Sequence, residues 1–240
     1  MNGWWNKLAR VDLTSGKISY EKIGKDVLKK YIGGRGLGAK ILYDEIDPNC
    51  DPLSENILVF AAGPLTGTMV PTSGRFSVTS KSPLTGTIAD SNVGGFFGRD
   101  FKRCGIDALI VKGEANEPSI IKIKQDEIRI QKTDLWGMNV NPTLDELNEE
   151  AAVIGPAGEN QVKYACIVAK GNRVFGRNGM GAVMGSKNLK AITADGNKKV
   201  PLYDKDSLKT YVKQARSKID SSPVTSRGLK QFGTPILVNL

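Results

Sequence analysis

The 240 residues carry 34 basic and 25 acidic side chains, no histidine, and 40% hydrophobic residues. That hydrophobic content excludes a disordered chain, and the lack of histidine removes the commonest general base and nitrogen metal ligand. The net charge of +9 suits an anionic partner, but the lysines are scattered and three tryptophans make a poor base-stacking platform, so a phosphorylated small ligand is favoured over nucleic acid.

In chain order, Lys7–Leu13 and Lys17–Ile23 alternate about a Thr-Ser-Gly turn and predict a β-hairpin. A short helix follows, with Asp26 as its N-cap and Gly33 beyond its end. A second helix carries an apolar face at Leu37, Ile41, Leu42 and Ile46. Ile57–Ala62 reads as a buried strand stopped by Gly63-Pro64, and "GRFSVTSKSP" and "TGTIADS" as two more. "GGFFGRDFKRCG" predicts a glycine-led helix ending at Gly105, and "IDALIVKG" a strand. "SIIKIKQDEIRIQK" alternates as a hairpin, and Pro142 opens a helix capped by Asn141.

From Ala151 the pattern returns. "AAVIGP" matches "FAAGP", "KYACIVAKG" matches "RFSVTSK", "GRNGMGAVMGSKN" matches the glycine-led helix, and "LKAITADG" matches "IDALIVKG". The order of elements and glycines predicts an internal duplication over 57–113 and 152–196. Residues 204–220 predict an amphipathic helix with Leu208, Tyr211, Val212 and Ala215 on one side.

Each half offers a helix N-terminus led by small residues, a place that favours an anion. Two such places facing each other suit one ligand with two anionic groups, or two copies of one ligand. Arg75, Arg173 and Arg177 stand beside them, and guanidinium pairs well with phosphate. "GMGAVMGSK" fails as a P-loop, because Ser186 precedes Lys187, and fails as a dinucleotide turn, because three residues separate Gly181 from Gly185. Asp90, Asp100 and Asp107 read as caps and turn residues. Cys50, Cys104 and Cys166 are far apart with no C-x-x-C pair, so no zinc or iron–sulfur site is expected from this chain alone, and a reducing compartment fits. No stretch reaches the about 20 apolar residues of a membrane helix, and the first residues do not read as a signal peptide, so a cytoplasmic protein without a membrane partner is expected.

The motifs "AAGPLTGT", "GRFSVTSKSPLTG", "SNVGGFFG", "IGPAGEN" and "GRNGMGAVMGSKNLKAI", in this order, resemble the N-terminal domain of the tungsten-containing aldehyde ferredoxin oxidoreductases. The resemblance covers nearly the whole chain. It implies an α+β fold of duplicated strand–helix–strand halves related by a pseudo-two-fold. It also implies a base for a bis-pterin tungsten (or molybdenum) cofactor of the molybdopterin type, whose two phosphates are bridged by magnesium. By resemblance, Arg75 contacts a pterin phosphate, Asn92 gives its backbone carbonyl to the magnesium, and Gly94 lies close to the pterin. Arg173 and Val174 take the matching roles in the second half, Val174 by its carbonyl. The sequence departs from the family at Asn172, Phe175 and Asn178, where His, a small residue and Gly are common, and bulky Phe175 is expected to leave less room for the second pterin.

The family's [4Fe–4S] cluster and acid–base residues lie in later helical domains. Residues 1–200 are therefore expected to form the cofactor base, with 201–240 beginning the helical region of a longer protein. The implied activity is oxidation of a small aldehyde to a carboxylic acid with ferredoxin as acceptor, in a complete enzyme that can be a homodimer. The alternative is a non-catalytic pterin-binding module that works with a separate catalytic chain.

Overall fold

The computed structural model describes residues 1–239. Lys7–Asp12 (β1) and Lys17–Lys22 (β2) form the expected antiparallel hairpin. Two helices follow, Lys25–Tyr31 (α1) and Gly34–Glu45 (α2). Gly24, not Asp26, occupies the N-cap of α1; Asp26 sits in the first turn, where a carboxylate still favours the helix dipole. Leu58–Ala62 (β3), Phe76–Lys81 (β4) and Ile88–Val93 (β5) lead into Phe97–Arg103 (α3) and Ala108–Lys112 (β6).

The second half runs Ser119–Lys124 (β7), Glu127–Lys132 (β8), Val140–Leu147 (α4), Glu150–Val153 (β9), Pro156–Glu159 (α5), Ile167–Ala169 (β10), Arg173–Phe175 (β11), Met180–Gly185 (α6) and Leu189–Asp195 (β12). α4 starts two residues before Pro142, behind Asn139. Proline is tolerated there because a first-turn N–H has no helical partner to lose. Strand β11 and the short α5 had no periodic signal in sequence.

The strands form two six-stranded sheets, ordered β2-β1-β6-β3-β4-β5 and β8-β7-β12-β9-β10-β11. The pairing senses match position by position. β1 with β6 and β7 with β12 are parallel, and the other neighbours are antiparallel. The fold is thus mixed α+β with duplicated halves, and the equivalence includes the leading hairpins, outside the segments flagged by glycines. The register carries it to single residues: the Asp107 carbonyl accepts from Ala62 N–H at 2.9 Å, and the Lys190 carbonyl from Ile154 N–H at 3.0 Å. At this shared position the charge is reversed. Asp107 pairs with Lys102, and Lys190 pairs with Glu159, both out of solvent. Asp107 also accepts from the Trp5 and Lys7 N–H groups, so it is an anchor of the amino-terminal segment and not a cap.

The sheets face each other across one core. Ala9, Val11, Phe60, Leu109 and Val111 of the first sheet point into it, as do Ile121, Ile123, Ala152 and Ile192 of the second. Leu8, Val59, Ala61 and Ile110 point outward under Leu28, Leu37, Ile41 and Leu42 of α1 and α2, and Ile120, Ala151, Val153 and Ala191 lie under Leu144 of α4. Covered on both faces, these strands are buried without alternation. α3 packs on β9 and β12 of the other half's sheet, and α6 packs on β3 and β4. This exchange of helices welds the halves together. Helix Lys205–Ser221 (α7) is capped by the Asp204 carboxylate; it buries Val212, while Leu208 and Ala215 are half-buried and Tyr211 is exposed. The last residue of the predicted helical region, Leu240, lies outside the described residues.

Candidate functional site

Strand β5 ends the first sheet and β11 the second, and the two edges meet. Along the first sheet Ala108, Ala61, Ser77 and Asn92 stand side by side. Along the second, Ala191, Val153, Val168 and Val174 do the same. Asn92 and Val174 therefore occupy the same position on the two edge strands. An edge strand has one neighbour, so it presents backbone groups that no ladder uses.

Two clefts open on either side of this meeting line. The first, about 650 Å³, is lined by the 67–75 loop, Gly94, Gly95, Arg99 and Asn172–Val174. The second, about 840 Å³, is lined by Arg35, Thr85, the strand from Thr87 to Asn92, Val174 and Gly176–Asn178, with Arg75. Arg75, Asn92 and Val174 border both. All five residues singled out in sequence, Arg75, Asn92, Gly94, Arg173 and Val174, lie together in the first cleft.

The Asn92 side chain is used internally. Its Oδ1 accepts from Ser77 Oγ at 2.7 Å, and its Nδ2 donates to Asp90 Oδ2 at 2.5 Å. What Asn92 has left for a ligand is its backbone. A Cβ on Gly94 would meet nothing within 4 Å, so the cleft reaches bare main chain there. Gly95 has φ +92°, and a Cβ on it would stand 3.2 Å from Arg173 Cγ, so the Arg173 stem rests on glycine.

Among the described residues, arginine ion pairs are made by Arg10, Arg99 and Arg129. Arg35, Arg75, Arg173 and Arg177 are exposed at the clefts and make none. A guanidinium without a protein carboxylate is available for an external anion. The arginines are not equivalent between halves: the register puts Ser91 opposite Arg173 and Cys166 opposite Arg75. Arg35 was missed in sequence, since α2 gave no signal of facing the β4–β5 turn.

Two expectations change. Phe175 does not crowd a cleft. It is fully buried and packs on Phe60 and Phe76, with ring centroids 6.3 Å apart in each case. Its equivalent is the core residue Val93, and the residues matching Gly94-Gly95 are Gly176-Arg177. Nor does α6 offer a free N-terminus. Gly181 N–H donates to the Ala165 carbonyl at 2.9 Å, and every residue of α6 is buried. Its glycines serve packing: a Cβ on Gly181 would stand 2.5 Å from the Cys166 oxygen, and one on Gly185 1.9 Å from the Gly158 oxygen.

Among the described residues no group of three His, Cys, Asp or Glu side chains converges on a metal position, and no helix is long and apolar enough to cross a membrane. Cys50 and Cys104 are buried and Cys166 is partly so; burial pushes the Cys104 thiol up to about 12, which leaves it inert at neutral pH.

The family model "Aldehyde ferredoxin oxidoreductase, N-terminal domain" matches residues 8–196. The tungsten-containing aldehyde ferredoxin oxidoreductases of Pyrococcus furiosus and Thermococcus kodakarensis are 46% and 44% identical over 249 residues, covering 100% of this chain and 41% of theirs. The WOR-like subunit of a Pyrococcus furiosus aliphatic sulfonate oxidoreductase is 36% identical over 89% of the chain and 38% of its own length. Among solved structures, the active-site complex of a benzoyl-coenzyme A reductase, in complex with 1,5-dienoyl-CoA, superposes with a TM-score of 0.87 at 34% identity. That match covers 91% of this chain and 35% of that one.

Proposed function

The chain belongs to the aldehyde ferredoxin oxidoreductase N-terminal domain family, and from that membership we propose that it is the cofactor base of a tungsten-dependent aldehyde oxidoreductase. It spans 41% of the length of its aldehyde-oxidoreductase relatives, and in the complete enzyme the remaining length supplies a substrate pocket and a [4Fe–4S] cluster. The observation that carries the proposal is the equivalence of Asn92 and Val174 on two edge strands, between clefts edged by Arg35, Arg75, Arg173 and Arg177, which make no ion pair among the described residues.

The donor set fits the group. The two clefts would hold the pterins, with the arginines at their edges taking the phosphates. Arg75, bordering both clefts, neutralises charge on either side, Arg173 adds to the first, and Arg35 and Arg177 add to the second. The backbone carbonyls of Asn92 and Val174 are hard, neutral oxygen donors of the kind magnesium accepts. Gly94 lets a flat ring approach main chain. When bound, the tungsten bis-pterin centre supplies the two-electron chemistry that turns an aldehyde into a carboxylic acid, with ferredoxin as acceptor. The residues of this chain hold and orient; none of them is placed as an acid or base.

The test is cofactor content in the full-length protein expressed with tungstate. Arg75→Ala and Arg173→Ala each remove a charge-assisted phosphate contact, worth about 1.5–3 kcal/mol, and should lower tungsten and pterin per protein roughly ten- to hundredfold under dilution. Unchanged content in both variants would remove the arginines, and the cofactor, from these clefts.

A further inference from the structure

The two clefts are built from the same positions. Residues 172–174 line the first, and their equivalents 90–92 line the second. Asn92, Gly94, Gly95 and Phe96 line the first, and their equivalents Val174, Gly176, Arg177 and Asn178 line the second. The last of these positions differs most in chemistry. In the second cleft it is the Asn178 amide, whose Nδ2 donates to the Asp90 carbonyl at 3.0 Å. In the first it is a phenyl ring that is 59% exposed. Phe96 is the N-cap residue of α3, and Phe97 and Phe101 of that helix are buried against Phe76, with ring centroids 5.5 and 4.6 Å away. The exposed ring therefore stands on a well-packed base. Arg99, one turn on, places its guanidinium 4.4 Å from the Phe96 ring centroid. Two bonds to the Asp100 carboxylate, at 2.7 and 2.9 Å, hold that guanidinium.

We propose that Phe96 is a ligand-contacting residue that stacks on the flat heteroaromatic ring held in the first cleft, that Arg99 is the positioning residue that fixes the phenyl for it, and that the two clefts therefore grip their ligands unequally. This rests on the cofactor reading above. A phenyl ring left in water inside a cleft is an apolar surface that a flat ligand would cover. Arg99 takes one face of the ring and leaves the other. A cation on one face also lowers the cost of keeping the ring in a single place, since the guanidinium is itself tied to Asp100. Two residues away, Gly94 has open space where a Cβ would go. Bare backbone and an aromatic face thus border the same cleft, and offset stacking on such a face recognises any flat conjugated ring. The second cleft has no aromatic side chain at the equivalent position, and its ligand is held by polar and charged groups.

The experiment uses the full-length, cofactor-loaded protein. Phe96→Leu keeps apolar bulk without the ring, and Phe96→Tyr keeps the ring. Pterin and tungsten retained per protein are followed after dilution, with the thermal midpoint of the cofactor-free protein in parallel. Phe96→Leu should lose the cofactor about tenfold faster than the parent, Phe96→Tyr should match the parent, and neither should move the midpoint. Arg99→Gln, which can still donate to Asp100, should speed the loss in the parent and add nothing in the Phe96→Leu background, because it acts through the ring. Equal retention by Phe96→Leu and the parent would overturn the stacking role. So would equal loss by Phe96→Leu and Phe96→Tyr, or a lowered midpoint with unchanged retention, which marks a ring that packs against other parts of the protein. The same added loss from Arg99→Gln in both backgrounds would overturn the positioning role of Arg99. Arg75→Ala, run alongside, separates the two failures. If it empties the clefts while Phe96→Leu behaves as the parent, the cofactor reading stands and the stacking falls; if Arg75→Ala keeps its pterin, both fall.

Discussion

Lys187 is buried, with no carboxylate partner among the described residues. Its ammonium donates to the carbonyls of Asn56 at 2.6 Å and Gly113 at 3.3 Å, both in the first half. Burial pushes its pKa down from the ordinary 10.5 to about 8. The unfolded chain therefore holds this proton up to higher pH than the folded one. Below pH 8 both states are charged and the folded state carries the full desolvation penalty. Between about 8 and 10.5 stability rises with pH as the penalty is relieved, by roughly 3 kcal/mol at most. Denaturant unfolding of the chain and of Lys187→Met across that window should show a shallower rise in the variant. Parallel curves would mean that the ammonium is better solvated than its surroundings suggest. The two carbonyl bonds explain why a lysine is there: it ties the end of α6 to the start of β3 and the end of β6.

At the scale of elements, glycines that look alike in sequence do different work. In α6, Gly185 lets the α5 backbone approach so closely that a Cβ would stand 1.9 Å from the Gly158 oxygen. Overpacking of this kind costs about 1–3 kcal/mol or more, so Gly185→Ala should lower the thermal midpoint by several degrees. Gly94 has open space where a Cβ would go, so Gly94→Ala should unfold like the parent while tungsten and pterin content falls in the full-length protein. A midpoint that drops for Gly94→Ala and stays for Gly185→Ala would reverse this division. Run lengths and apolar spacing revealed both helices and most strands; they could not tell which glycine packs and which faces a ligand. That depends on what stands opposite, and the opposite partner lies far along the chain.

For the whole molecule, duplication brings two edge strands together and makes one place where the equivalent residues Asn92 and Val174 and uncommitted arginines line the same clefts. The same exchange that builds it, each half's helix on the other half's sheet, makes either half an incomplete core. The 240-residue chain has no cluster of metal-ligating side chains among its described residues, and burial suppresses the Cys104 thiolate. Purified alone and loaded with cofactor, it should show no aldehyde-dependent reduction of a viologen dye, whereas the full-length enzyme should. Measurable turnover by the pure chain would mean that residues here supply acid–base and electron-transfer functions that neither sequence nor structure places in it.

The sequence by itself determined most of the elements, the order of the halves and the family. These are local or sequential properties: alternation, helical spacing, Gly-Pro stops and motifs in fixed order. It also named the residues that gather at the first cleft, because motifs mark them wherever they lie. Only the tertiary structure decided how those residues relate. Asn92 matches Val174 while Arg75 matches Cys166, Phe175 turns into the core, α6 spends its N-terminus on Ala165, and Arg35 reaches the second cleft from α2. The reason is physical. Which face a β residue shows, and which backbone group stays free, is set by strand register and by packing against the other half, and neither is encoded in a stretch short enough to read alone.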